Sequence, residues 1–205
     1  MGWYAELVLP RLIQVACSSD GVSEMRERVV PLATGRVLEV GMGSGLNLPF
    51  YDRDQVELVW GLEPSGAMRA KAVPAIEASG LDVRVLAEPA EEIPLDDDSV
   101  DTVVLTYTLC SIADWQAALA QIRRVLKPGG TVVFSEHGLA PDAAVQRWQR
   151  RVDPVWTVFA GGCHLDRPIV AGLEAAGFEM VEVDGEYRGV PKAATFTSWG
   201  VCRPR

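Results

Sequence analysis

Short aliphatic and β-branched runs alternate along this chain with stretches in which apolar residues recur at helical spacing, and the alternation predicts a parallel sheet covered by helices. Arg36 to Val40 is such a run, apolar enough to be buried on both faces. Val56 to Leu62 predicts a second strand, Leu81 to Leu86 a third, and Val100 to Thr106 a fourth. Ser65 is placed to cap a helix through about Ser79, with Pro74 as an interruption and Gly80 as its close. Asp114 caps an amphipathic helix from Trp115 to Leu126, which Lys127-Pro128-Gly129-Gly130 breaks before a strand from Thr131 to Glu136. Pro141 and Asp142 open a helix near Trp148, and Asp166 caps another that ends at Gly177. Phe178 to Val183 and Ala194 to Cys202 supply the last strands, with the Gly, Pro and Tyr residues of 185 to 191 as the turn between them. The expected fold class is therefore α/β, a doubly wound sheet of seven strands.

The first strand empties into Gly41-Met42-Gly43-Ser44-Gly45, a spacing that serves backbone rather than side chains. Without a Cβ the chain turns sharply and exposes its N–H groups to a ligand in contact with the main chain. The second strand then delivers Glu63 at its carboxyl end, where a carboxylate accepts hydrogen bonds from both hydroxyls of a ribose. Dinucleotide folds use G-x-G-x-x-G to set a helix N-terminus against a pyrophosphate, but position 46 is Leu, which opposes a nicotinamide oxidoreductase. The compact G-x-G-x-G, with Glu39 two residues upstream, suits S-adenosylmethionine. That ligand has no phosphate, and its cationic amino group is one a carboxylate can hold.

Composition narrows the picture further. A chain of 205 residues, 48% hydrophobic and 23% charged, fits one domain, with 1–34 as an N-terminal lid or cap and 35–205 as the core. A formal charge of -9 argues against a nucleic-acid substrate, which needs a basic surface, and favours a small molecule. Acids gather at Glu88, Glu91, Glu92 and Asp96 to Asp98, and bases at Arg147, Arg150 and Arg151; solvated faces are the plain account of both. No apolar run is long enough to span a bilayer, and Met1 to Cys17 lacks the pattern of a secretory signal. Cys17, Cys110, Cys163 and Cys202 form no C-x-x-C pair, so reduced thiols in a cytoplasmic protein are expected. Nothing in the sequence fixes an oligomeric state.

Leu38-Glu39-Val40-Gly41-Met42-Gly43-Ser44-Gly45, Ala90-Glu91-Glu92-Ile93-Pro94, Asp101-Thr102-Val103-Val104 and Leu126-Lys127-Pro128-Gly129-Gly130 resemble the successive motifs of class I S-adenosylmethionine-dependent methyltransferases. The resemblance extends from about Arg36 to the C-terminus. It implies a Rossmann-like seven-stranded methyltransferase sheet, mostly parallel, with helices on both faces and an antiparallel last strand inserted by a C-terminal hairpin. It also implies S-adenosylmethionine as cofactor, held by Glu39, Gly41, Gly43, Gly45 and Asn47, by Glu63, Pro64, Ser65 and Met68, and by Ala90, Glu91 and Thr106. Thr106 to Ser111, Ser135-Glu136-His137, Trp148, Asp153-Pro154, Gly162-Cys163 and Leu165 resemble more closely the branch containing alkyl thiol methyltransferases, in which Asn tends to stand at the place of His164. Bacterial phospholipid N-methyltransferases and quinone-type methyltransferases share the cofactor motifs. The resemblance thus implies methyl transfer to a small, partly apolar acceptor, a thiol by likeness to that branch. A phospholipid or quinone acceptor is the alternative, and a non-catalytic S-adenosylmethionine-binding protein is the alternative of another class.

Transfer from a sulfonium asks mainly for positioning, so few side chains need to act. His137, just past the fifth strand, and His164, in the loop before a helix, are the candidate catalytic bases, with His137 preferred. Tyr107, Cys110 and Cys163 are candidate substrate contacts. No metal is expected, because a site needs three or four converging ligands and the sequence offers no ligand spacing. Cys17 and Cys202 are expected as small buried apolar residues. Trp3, Tyr4, Leu7, Val8, Leu12 and Val15 have helical spacing and read as a lid over the site, with weak membrane-surface contact as the other use. Trp148, Trp156 and Phe159 are expected to join that lid in an apolar pocket.

Overall fold

The aliphatic runs form the strands their pattern predicts, because each inner strand is covered on both faces. The computed structural model describes residues 20–205. Its elements are α1 (Asp20–Val29), β1 (Gly35–Val40), β2 (Val56–Leu62), α2 (Gly66–Ser79), β3 (Val83–Leu86), β4 (Val100–Thr106), α3 (Trp115–Val125), β5 (Leu126–His137), α4 (Ala143–Phe159), α5 (Ile169–Ala175), β6 (Phe178–Tyr187) and β7 (Phe196–Pro204). Among these residues the sheet has seven strands in the order β3-β2-β1-β4-β5-β7-β6. The first five run parallel, and β7 lies antiparallel between β5 and β6.

Side chains alternate between two cores. Leu38, Val103, Leu105 and Phe134 meet Leu119 and Ile122 of α3 and Leu173 of α5 on one face. Val37, Val104 and Val133, their sequence neighbours, meet Met25 and Val29 of α1 on the other, with Ala75 and Ile76 of α2 packed against them. Period-2 alternation inside continuous apolar runs is what a sheet covered on both faces requires.

Local signals act where the sequence places them. Ser65 accepts a hydrogen bond from Met68 N, Asp114 accepts one from Ala117 N, and Gly80 closes α2 in the left-handed region. The helix continues through Pro74. The Lys-Pro-Gly-Gly break is a bulge within β5: Leu126 pairs with Val100, and pairing resumes with Thr131 opposite Thr102. Asp101 sits against that bulge, accepting from Lys127 Nζ at 2.7 Å and from Arg36 N at 2.9 Å. Burial raises its pKa, but the Lys127 ammonium and the Arg36 amide prevail and hold the carboxyl below its ordinary value.

Three expectations are corrected. Asp166 caps no helix: α5 starts at Ile169 after Pro168, since a residue before proline is driven out of helical geometry, and Arg167 is that residue. Asp142 stands at the N-cap of α4 but makes no capping bond there and accepts from Tyr187 OH. The final hairpin turns later than expected, because Gly185 remains in β6 opposite Ser198 and the turn occupies 188–195. The expected lid from Trp3 to Val15, and Cys17 with it, lies outside the described residues.

Phe134 is fully buried at the centre of the sheet. Phe134→Ala is expected to lower unfolding free energy by about 3–5 kcal/mol, read from urea denaturation, because the chain cannot collapse around the vacated volume.

Candidate active site

The chain leaves β1 for β2 on one side and later returns to β4 on the other, so the β1–β4 boundary is the topological switch point of the sheet. A cavity of about 500 Å³ opens there, beyond the strand carboxyl ends. Its size lies within the roughly 300–1,000 Å³ of small-molecule and cofactor sites.

Three glycines share the loop after β1 and do different work. A Cβ on Gly41 would lie 2.1 Å from Thr108 Oγ1, and one on Gly45 would press on Leu48 and Ala75 at 3.0 and 3.1 Å. Those two let the loop approach the chain after β4 and the helix α2. A Cβ on Gly43 would meet nothing closer than Met68 Cε at 3.5 Å, so its bare face belongs to the cavity. Gly41 and Gly43 line the cavity, and Gly45 does not.

Glu63 binds that loop to the start of α2. One carboxylate oxygen accepts from Gly43 N at 2.9 Å and the other from Ser65 N at 2.8 Å. Each oxygen retains acceptor capacity for a ribose hydroxyl, since an ionised carboxylate offers about four lone-pair sites. Burial raises its pKa, against the pull of both amides and of Arg69. Arg69 holds the chain beneath, donating to the carbonyls of Glu63 and Pro64. Pro64, Ser65 and Met68 line the same side, and Ala90 and Glu91 line the side beyond β3. An open glycine face beside a carboxylate with spare acceptors fits the adenosyl half of S-adenosylmethionine.

Glu39 faces the cavity from beneath and is only 2% exposed. Its oxygens accept from Asn47 Nδ2 at 2.9 Å and Tyr51 OH at 2.7 Å. Asn47 also donates to Thr106 Oγ1 and accepts from Arg26 Nε. Desolvation outweighs these bonds and pushes the Glu39 carboxyl up to about 7. Arg26 lines the cavity and was not anticipated. Its place on α1, before the first strand, carries no motif.

The far wall is the segment after β4. Tyr107, with φ 54°, occupies left-handed backbone that costs a non-glycine residue of order 1–3 kcal/mol. Glu136 at the end of β5 holds the next turn, one oxygen accepting from Thr108 N at 2.8 Å and Leu109 N at 3.1 Å. Its other oxygen is buried without a partner among the described residues, and desolvation pushes this carboxyl also up to about 7. Tyr107, Thr108 and Ser111 line the cavity.

Neither histidine lines it, and neither do Cys110 and Cys163. His137 Nε2 lies 2.7 Å from Cys163 Sγ, which in turn lies 3.3 Å from Cys110 Sγ. Contact with Cys110 and burial both push the Cys163 thiol well above its usual value. His164 is half-exposed, its Nδ1 2.8 Å from Asp153 Oδ2, while the other Asp153 oxygen accepts from Leu165 N at 2.6 Å. A carboxylate on Nδ1 orients an imidazole and leaves its other nitrogen outside that bond, the arrangement of an oriented base. Asp153, the orienting partner, was seen only as a point of resemblance. Trp148 and Trp156 line a separate groove of about 360 Å³ against residues 191–194, and Trp148 and Phe159 are 62% and 63% exposed. No helix among the described residues is long and apolar enough to cross a membrane.

Residues 38–134 match the family described as a methyltransferase domain. Thiol S-methyltransferase TMT1A of Homo sapiens is 30% identical over 186 residues, 89% of this chain and 72% of that protein. Phosphatidylethanolamine N-methyltransferase of Cereibacter sphaeroides is 36% identical over 118 residues, 55% of this chain and 57% of that one. The chain spans 62% to 72% of the length of the first three thiol S-methyltransferases it matches. In fold it is similar to a putative methyltransferase of Bacillus halodurans, with a TM-score of 0.71, 15% identity, and 96% of this chain and 99% of the other covered.

Glu63→Ala is expected to weaken S-adenosylhomocysteine binding roughly tenfold to a hundredfold, because each bond to a charged acceptor is worth about 1.5–3 kcal/mol. Calorimetry on the folded variant measures it, and unchanged affinity would remove Glu63 from the site. Glu39 makes a second prediction. Its folded pKa of about 7 exceeds the ordinary 4.5, so over that window the unfolded chain releases a proton that the folded chain keeps. Stability therefore falls as pH rises from 4.5 towards 7, and Glu39→Gln is expected to make this slope shallower in denaturation midpoints measured across the window, leaving the share that Glu136 contributes in the same sense.

Proposed function

Because the chain belongs to the class I S-adenosylmethionine-dependent methyltransferases, we propose that it transfers the methyl group of that cosubstrate to the sulfur of a small, partly apolar thiol. One observation carries the choice of acceptor. The match to the human thiol S-methyltransferase takes in 89% of this chain, so it extends well beyond the cofactor segment of 38–134 into the region of His137, Asp153 and His164. The phospholipid enzyme's match, at 55%, is little longer than the cofactor segment.

Bound in the cavity, S-adenosylmethionine supplies a methyl group already activated as an electrophile. The protein's residues then have three tasks. Glu63 and the Gly43 backbone bind the adenosine end, and Asn47 and Tyr51 hold the Glu39 carboxyl where a cationic amino group is met. Tyr107, Thr108 and Ser111 form the wall on the acceptor side. His164, oriented by Asp153, accepts the thiol proton, since thiolate is the competent nucleophile. The preference passes from His137 to His164, because the imidazole of His137 is engaged with Cys163.

In a chain that lacks the base, His164→Gln, the residual turnover of an alkyl thiol is expected to rise with pH towards the acceptor's own pKa when methyl transfer is rate-limiting, because only thiol already ionised then reacts. Labelled S-adenosylmethionine with thiols of graded acidity tests this, and efficient methylation of phosphatidylethanolamine vesicles without thiol turnover would overturn the reading. His164→Gln is expected to lose about 10²–10⁴ in turnover while S-adenosylhomocysteine affinity is kept. Full activity in that folded variant would exclude His164 as the base.

A further inference from the structure

Beside the cavity, the fold brings three reactive side chains together from segments far apart in sequence. Cys110 follows β4, His137 ends β5, and Cys163 lies in the loop between α4 and α5. Cys163 Sγ is 3.3 Å from Cys110 Sγ and 2.7 Å from His137 Nε2, and all three donor atoms lie within 4.8 Å of one another. Cys110 is buried, and His137 and Cys163 are half-buried.

Two thiols and an imidazole are the donor set that zinc takes. A tetrahedral ion with bonds of about 2.3 Å to sulfur and 2.0 Å to nitrogen holds its sulfurs roughly 3.8 Å apart and each sulfur roughly 3.5 Å from the nitrogen. The Cys163 spacings, 3.3 Å to Cys110 Sγ and 2.7 Å to His137 Nε2, differ from these by less than about 1 Å, a difference on the scale of side-chain adjustment. The carriers of the ligands are already fixed to one another. His164 N donates to Cys110 O at 2.9 Å, Arg167 Nη1 donates to the carbonyls of Leu109 and Ile112, and Glu136 holds the amides of Thr108 and Leu109. Such pinning removes the ordering cost that a metal site otherwise imposes on its loops. Two thiols in contact also cannot both ionise at low cost unless a cation sits between them.

We propose that Cys110 Sγ, Cys163 Sγ and His137 Nε2 bind a zinc ion, with its fourth position open to solvent or an exogenous ligand. Binding expels one proton from each thiol. The two thiolates balance the charge of the ion, and the apparent affinity rises with pH. The ion joins the segment that carries Tyr107, Thr108 and Ser111 to the loop that carries Gly161, and so braces one wall of the cavity from outside it. The site does not depend on which acceptor the enzyme methylates.

The test uses the untagged full chain, reduced, stripped with a chelator and titrated with Co²⁺. The expected result is one Co²⁺ per chain, with thiolate-to-cobalt charge-transfer bands and the strong visible bands of a tetrahedral site, all displaced by Zn²⁺. Cys110→Ser, Cys163→Ser and His137→Gln are each expected to weaken the metal by more than the roughly 10–100-fold that follows loss of an outer-shell partner. Circular dichroism and S-adenosylhomocysteine binding identify the variants that remain folded. A reduced, folded wild-type chain that gives no thiolate-to-cobalt bands overturns the proposal. So does a folded Cys163→Ser chain that holds Zn²⁺ as tightly as wild type.

Discussion

A carboxylate buried at the end of a central parallel strand must be surrounded by donors, and the way Glu39 obtains them organises the cofactor half of the molecule. Asn47 and Tyr51 donate directly, and Asn47 also engages Arg26 of α1 and Thr106 of β4. One side chain therefore ties a helix, a strand end and the loop to the strand beside it. Hydrogen bonds to a charged group contribute about 1.5–3 kcal/mol each, while desolvating a carboxylate costs several kcal/mol. Desolvation outweighs the bonds, and a carboxyl pushed up to about 7 is the result. Such a group changes charge in response to a modest change in its surroundings, and an arriving ammonium is such a change.

The same device recurs along the sheet. Glu63 follows β2 and Glu136 lies near the end of β5, and each turns a carboxylate onto loop amides: Glu63 onto Gly43 and Ser65, after β1 and β2, and Glu136 onto Thr108 and Leu109, after β4. Carboxyl ends of parallel strands are where the following helices begin, and the positive ends of helix dipoles favour anions there. For Glu63 the helix start is explicit, since Ser65, its partner, is the N-cap of α2. Three glutamates thus hold the loops around the cavity, beside the glycines that let the loop after β1 turn. Tyr107 tolerates left-handed backbone because Glu136 secures the residues immediately after it.

Legibility followed sequence distance. The strands, the caps at Ser65 and Asp114 and the close at Gly80 are set by neighbours a few residues away, and local pattern predicts them. The glycine loop and Glu63 were legible for the same reason: they end adjacent strands, so one short stretch of chain contains both. Asp166 misled because a good capping residue lies two positions before a proline, and the proline sets where the helix starts. Arg26, the Glu136 clamp and the meeting of Cys110, His137 and Cys163 were not legible. Each is a product of register between β4 and β5 or of packing onto the sheet, and no spacing in the chain encodes it.

That contrast follows from the chemistry. A cofactor with a fixed shape is met by backbone turns and one carboxylate, which two consecutive strand ends can supply. The far wall of the cavity is built differently, from the segment after β4, the end of β5 and the loop before α5. Methyl transfer from a sulfonium leaves little for side chains to do beyond alignment and removal of one proton. The far wall is consequently under weaker chemical constraint than the glycine loop. Its identity lies in which groups are brought into contact, and contact between distant segments is decided by the fold as a whole.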